Sequence, residues 1–138
     1  MAVDDDDGRS HDRPNVLVVF TDQQRWDTVG AYDSPLDLTP NLDVAADAGT
    51  VYEQAVSSQP VCAPTRACLQ TGQYATTHGV WRNGLVPEDT GTTLAEAFAG
   101  AGYDTGYVGK WHVDHGNDPG EHGFEFALGY GTERFEQA

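Results

Sequence analysis

Hydrophobic positions along the chain fall into short segments of differing pattern. Residues 15 to 21 run from Asn15 through Val16, Leu17, Val18, Val19 and Phe20 to Thr21, a continuous apolar and β-branched stretch. Such a run predicts a strand buried on both faces, as in a parallel sheet covered by helices on either side. Its carboxyl end delivers Asp22 and Gln23, at the end of an open α/β sheet where ligands bind. A helix start follows at Thr39-Pro40-Asn41-Leu42, with Thr39 as N-cap, Pro40 at the first helical position and Gly49 ending the helix after Ala48. Leu42, Ala45, Ala46 and Gly49 make its inner face. Val51 to Val56 is a candidate strand, and Cys62 to Thr71 a second helix that Pro64 can initiate and Gly72 can close. Thr92 or Thr93 caps a third helix through Phe98, ended by Gly100 and Gly102. Thr105 to Gly109 is a short strand leading into Lys110-Trp111-His112. The order β-α-β-α-α-β predicts an α/β fold with a mostly parallel sheet flanked by helices. Beyond Gly116 the chain is Gly-rich and irregular, with Phe124, Phe126 and Tyr130 as scattered anchors.

Composition bounds this picture. At 138 residues and 38% apolar content there is room for one small domain. Residues 1 to 13 are polar and acidic without periodicity and read as a disordered tail, leaving residues 14 to 138 for the fold. The 22 acidic residues against 7 basic ones give a formal charge of -15, which opposes binding to nucleic acid or to an anionic membrane surface. That excess also fits a protein working at high ionic strength, a halophilic setting where self-repulsion is screened. No apolar run approaches the ~18 residues of a membrane span, and Asp4 to Asp7 stand where a leader would carry basic residues, so the cytoplasm is the expected location.

The candidate chemistry centres on Cys62. At a helix start its thiol would meet free backbone N–H groups and the positive end of the helix dipole, a setting suited to an anion. Arg66 follows one turn later, where its fork can hold an oxyanion over the same face. By itself this pair fits a buried structural thiol better than a catalytic one. Cys68, on the same helix, is about 9 Å from Cys62 by helical rise, which excludes a disulfide between them. His112, His115 and His122 with Cys68 do not have the spacing of a compact zinc set and read as solvated loop histidines. Residues 102 to 110 are not a phosphate-binding loop, since Asp104 stands where Gly is needed and Trp111 follows Lys110.

Cys62-Ala63-Pro64-Thr65-Arg66, followed by Leu69, Thr71-Gly72 and His78-Gly79, resembles the signature of formylglycine-dependent sulfatases. Asp22, Thr39-Pro40-Asn41-Leu42, Gly109-Lys110-Trp111-His112 and Gly123-Phe124 are similar in order and approximate spacing, so the resemblance spans about residues 14 to 130. It implies an alkaline-phosphatase-like α/β sandwich, present here in part, and a sulfuric ester hydrolase. Cys62 would then be oxidised to formylglycine by a formylglycine-generating enzyme. Its hydrate has two geminal hydroxyls, one to attack the ester sulfur and one to eject sulfate. The resemblance further implies that Arg66 orients the formylglycine, that Lys110 neutralises the nucleophile and a sulfate oxygen, and that His112 hydrogen-bonds the hydrate. Asp22, Gln23 and residue 62 would hold a divalent cation, calcium before magnesium or manganese, because the donors are oxygens. Asn83 in Arg82-Asn83-Gly84 matches a substrate-contacting position in some relatives, although a turn-forming Asn-Gly is the simpler reading.

Two departures stand out. Gln23 replaces the second Asp of many sulfatases and resembles the related phosphonate monoester hydrolases, while Lys110 and His112 point back to sulfate. Thr65 replaces the usual Ser but keeps its hydroxyl. The family's other ligands, an Asp with an Asn or His and a second Lys and His, lie in segments that this chain does not reach. The expectation is an incomplete site, negligible activity of the 138-residue chain alone, and a sheet with exposed apolar surface. A phosphonate or phosphate ester hydrolase, or a non-catalytic remnant of the family, are the alternatives.

Overall fold

The computed structural model describes residues 13–36, 38–88, 90–113 and 118–129. The acidic tail, His115, Gly116 and Tyr130 therefore fall, apart from Arg13, outside the described residues. Two compact units divide at Val51 and Tyr52. Among the described residues no helix is long and apolar enough to cross a membrane.

In the first unit, residues 14–21 have no regular secondary structure and belong to no sheet among the described residues. Leu17 is 87% and Val19 71% exposed, so the double-sided burial expected of this run is absent. A buried strand needs a neighbouring ladder about 4.8 Å away to take up its backbone groups, and none of the described segments supplies one. Helix α1, Pro40–Ala48, has the predicted bounds, with Pro40 opening it and Gly49 as its C-cap. Its expected inner face is uncovered, since Leu42 and Ala45 are exposed and only Ala46 is half-buried. Thr39 occupies the N-cap position without capping through its side chain. Its hydroxyl instead accepts from Gly30 N–H at 2.9 Å and donates to Asp43 Oδ1 at 3.2 Å, drawing the 3₁₀ turn Gly30–Tyr32 onto the helix.

The second unit is better packed. Residues 51–56 are turn and coil rather than the predicted strand, and Val56 is 90% exposed. Helix α2 spans Cys62–Thr71 and ends at Gly72, whose φ of 65° is the left-handed conformation that glycine adopts without strain. Its buried residues Ala63, Pro64, Arg66, Ala67 and Gln70 recur at three- and four-residue spacing and define one face. Ala63 and Ala67 pack on Val80, Trp111 and Val113, with Leu85, Tyr107 and Phe124 at the margin. Trp111 is the largest buried side chain, ringed edge-on by Tyr107 at 5.1 Å and Phe124 at 6.0 Å.

A short helix α3, Ala75–His78, was not legible in the sequence. It places His78 in full burial, where Nδ1 accepts from Val80 N–H at 3.1 Å and Nε2 lies 3.2 Å from Cys68 Sγ. No disulfide joins Cys68 to Cys62. Helix α4, Leu94–Gly100, starts at a capping box in which Glu96 N–H donates to Thr93 Oγ1 and Thr93 N–H to Glu96 Oε2. Thr93 Oγ1 also donates to the carbonyl of His122 at 2.7 Å, while the His122 ring lies over Trp111 at 5.2 Å, so this histidine is partly covered rather than solvated.

Strand β1, Gly106–Val108, lies within the predicted segment and pairs in parallel with β2, Phe126–Leu128, in the stretch read as irregular. The register sets Gly106 opposite Phe126 and Val108 opposite Leu128. The pair continues as Gly109 N–H donates to Leu128 O at 2.8 Å. Here the two backbones approach so closely that a Cβ on Gly129 would sit 2.1 Å from Gly109 O.

Two outcomes follow from this packing. Gly129→Ala forces the Gly109 backbone apart and is expected to lower unfolding stability by about 1–3 kcal/mol in denaturant titration. Burial pushes the pKa of His78 below its ordinary value, against a smaller upward pull from its backbone hydrogen bond. Protonating Nδ1 would also set a donor against Val80 N–H. The unfolded chain then binds the extra proton more readily, so stability is full above about pH 6.5 and falls as pH drops through the depressed folded value. His78→Gln is expected to flatten that acidic slope.

Candidate active site

Cys62 occupies the first position of α2, after Val61 in extended conformation. The surrounding donors are more committed than the sequence suggested. Ala63 N–H donates to Asn83 Oδ1 at 3.0 Å, Pro64 has no N–H, and Thr65 N–H donates to Val61 O at 3.0 Å. Free backbone donors therefore do not make an anion cradle at positions 63 to 65, and the favourable field at residue 62 comes from the helix dipole and Arg66. Asn83 sits in the turn before Gly84, whose φ is 82°, and reaches across twenty residues to cap α2 beside the candidate nucleophile. Turn former and site neighbour are thus compatible readings.

Thr65, in place of Ser, anchors the approach to the helix. Its hydroxyl donates to Gln59 O and lies 3.2 Å from Ser57 Oγ. Gln59 in turn donates through Nε2 to Trp81 O at 3.0 Å. The hydroxyl that Ser and Thr share thus fixes the segment entering Cys62, which explains why the replacement is accommodated.

Arg66 is 6% exposed, and its guanidinium is committed inward. Nη1 donates to Lys110 O at 2.5 Å and to Tyr107 Oη at 3.3 Å, and Tyr107 Oη donates to that same carbonyl at 2.5 Å. Burial raises the Tyr107 pKa, with the Arg66 charge and hydrogen bond as the smaller opposing influences, so the phenol keeps its proton and remains a donor. The structure therefore joins α2 to the Lys110-Trp111-His112 segment through a backbone oxygen. Lys110 is exposed, Trp111 is buried, and His112 is half-buried with a φ of 54°. That left-handed turn separates the directions of residues 110 to 112 and is held by the Trp111 anchor. Sequence reasoning missed Tyr107, since a strand tyrosine carries no catalytic signature.

Asp22 and Gln23 lie in the first unit, in the bend after the apolar run, both exposed and with Gln23 at a φ of 56°. A carboxylate and an amide oxygen in sequence suit a hard cation such as calcium or magnesium over zinc. They are a partial donor set, and among the described residues no group of three or more His, Cys, Asp or Glu could hold a metal ion.

Comparison with known proteins places this arrangement. The family model for Sulfatase matches residues 14–137. An uncharacterized sulfatase, YidJ, of Escherichia coli is 43% identical over 102 residues, covering 74% of this chain and 20% of its own length. Arylsulfatase A of Bos taurus is 36% identical over 126 residues, covering 84% of this chain and 25% of its own. The solved structure of yidJ from Bacteroides fragilis matches with a TM-score of 0.70 at 29% identity, over 83% of this chain and 30% of that one. The chain spans about a fifth to a quarter of the length of the curated relatives it matches. With parallel strands, flanking helices and these neighbours, the fold is α/β and alkaline-phosphatase-like. The chain belongs to the sulfatase family.

Proposed function

We propose that this chain is the nucleophile-bearing part of a sulfuric ester hydrolase in which Cys62 is the precursor of formylglycine. The observation that carries the reading is the joint at Arg66: the helix that begins with Cys62 is tied by a buried guanidinium to the backbone of Lys110, two residues from His112. Formylglycine, once hydrated, supplies one hydroxyl to attack the ester sulfur with departure of the alcohol, and a second to expel sulfate by collapse to the aldehyde. Arg66 fixes the orientation of α2 and hence of residue 62. Lys110 places its ammonium against the nucleophile and a sulfate oxygen, and His112 hydrogen-bonds the hydrate. Asn83, bonded to the amide next to residue 62, borders the substrate. Asp22 and Gln23 would hold a divalent cation, calcium foremost, whose charge would polarise the ester.

Gln23 favours one second reading. An uncharged amide where many family members have a second carboxylate makes the cation site less anionic, as in phosphonate ester hydrolases. Lys110 and His112 support sulfate.

Mass analysis of the Cys62 peptide from native cells is expected to show an aldehyde in place of the thiol; an unmodified thiol there would favour a non-catalytic remnant. The complete protein is expected to hydrolyse an aryl sulfate in a metal-dependent manner and faster than the matching phosphonate ester, and Cys62→Ala to abolish turnover. Faster phosphonate cleavage would reverse the assignment. The 138-residue chain alone is expected to show negligible turnover, which a metal-dependent rate from the purified chain would refute.

A further inference from the structure

We infer that Tyr107 is a positioning residue for the sulfatase site, acting through the Lys110 carbonyl that it shares with Arg66. The inference rests on the proposed activity but has its own geometric basis. A carbonyl oxygen has two lone pairs, and Tyr107 Oη–H and Arg66 Nη1–H both donate to that of Lys110. The phenol meanwhile accepts from the same Arg66 nitrogen, closing a three-membered ring of hydrogen bonds. Every vertex is fixed from behind. Arg66 stands on α2, and Tyr107 stands on β1 with its ring edge-on to Trp111 at 5.1 Å and close to Phe124 at 5.3 Å.

The Lys110 carbonyl belongs to the peptide that leads into Trp111, so clamping it sets the plane from which Lys110 and His112 project. His112 has a left-handed backbone that costs energy unless its surroundings impose it. The clamp on one side and the buried indole on the other impose it. Removing the phenolic hydroxyl deletes one donor to the carbonyl and one acceptor for Arg66 while leaving the aromatic packing intact. A residue that served packing alone would be indifferent to that change.

The test is Tyr107→Phe in the complete mature enzyme, read by steady-state kinetics on an aryl sulfate and by hydrogen exchange of the 106–113 peptide. The expected result is a fall in kcat of about tenfold, a KM within about twofold of the parent and faster exchange in 106–113, with exchange in α4 unchanged. A parental kcat overturns the inference, and so does a reduced kcat with parental exchange, since the effect would then not pass through the Lys110 segment. Should the parent enzyme itself fail to hydrolyse sulfate esters, the functional proposal fails alone. The exchange measurement still decides, and parental exchange in the variant overturns the positioning role.

Discussion

An arginine buried to 6% exposure is the constraint on which the second unit depends. Such a charge cannot be left without acceptors in a low-dielectric interior, because desolvation would exceed anything gained by packing its stem. Arg66 Nη1 donates to a main-chain carbonyl and to a phenol, and these two acceptors come from residues 107 to 110. Helix α2 and the segment after β1 must therefore be built together. The apolar cluster of Ala63, Ala67, Val80, Trp111 and Val113, with Tyr107 packed against it, draws on both segments. The Gly109–Gly129 contact brings β2 against the segment just before Lys110.

This arrangement separates two tasks that a shorter motif would confuse. Residue 62 is placed by the start of a helix, itself capped by Asn83 and braced by Thr65. Lys110 and His112 are placed by a strand end and a left-handed turn around a buried tryptophan. Arg66 is the connection between them. Its value lies in orientation, and its charge additionally favours an anion near residue 62.

Local chemistry explains what could be read in advance. Pro64 lies in the first turn of α2 and Gly72 ends it, Pro40 and Gly49 bound α1, and the Thr93–Glu96 box starts α4, because these signals act within a few residues. Cys62, Arg66, Lys110 and His112 stood out through residue type and family spacing. Strand pairing is another matter. The apolar run of residues 15–21 carries the pattern of a buried strand, yet burial needs partners that the described residues do not provide. β2 hid in a Gly-rich stretch because three residues are too few for a period to show. Likewise α3, the Cys68–His78 pair and the role of Tyr107 arise from contacts across ten to forty residues, to which no local pattern points.

The central claim is that Arg66 and Tyr107 act on one carbonyl rather than independently, and a double-mutant cycle tests it most directly. Arg66→Gln, Tyr107→Phe and the double variant of the complete enzyme would be compared through kcat/KM for an aryl sulfate. Groups sharing one acceptor should be non-additive by about 0.5–3 kcal/mol, with the second substitution costing less once the first is made. Strict additivity of the two losses would contradict the account.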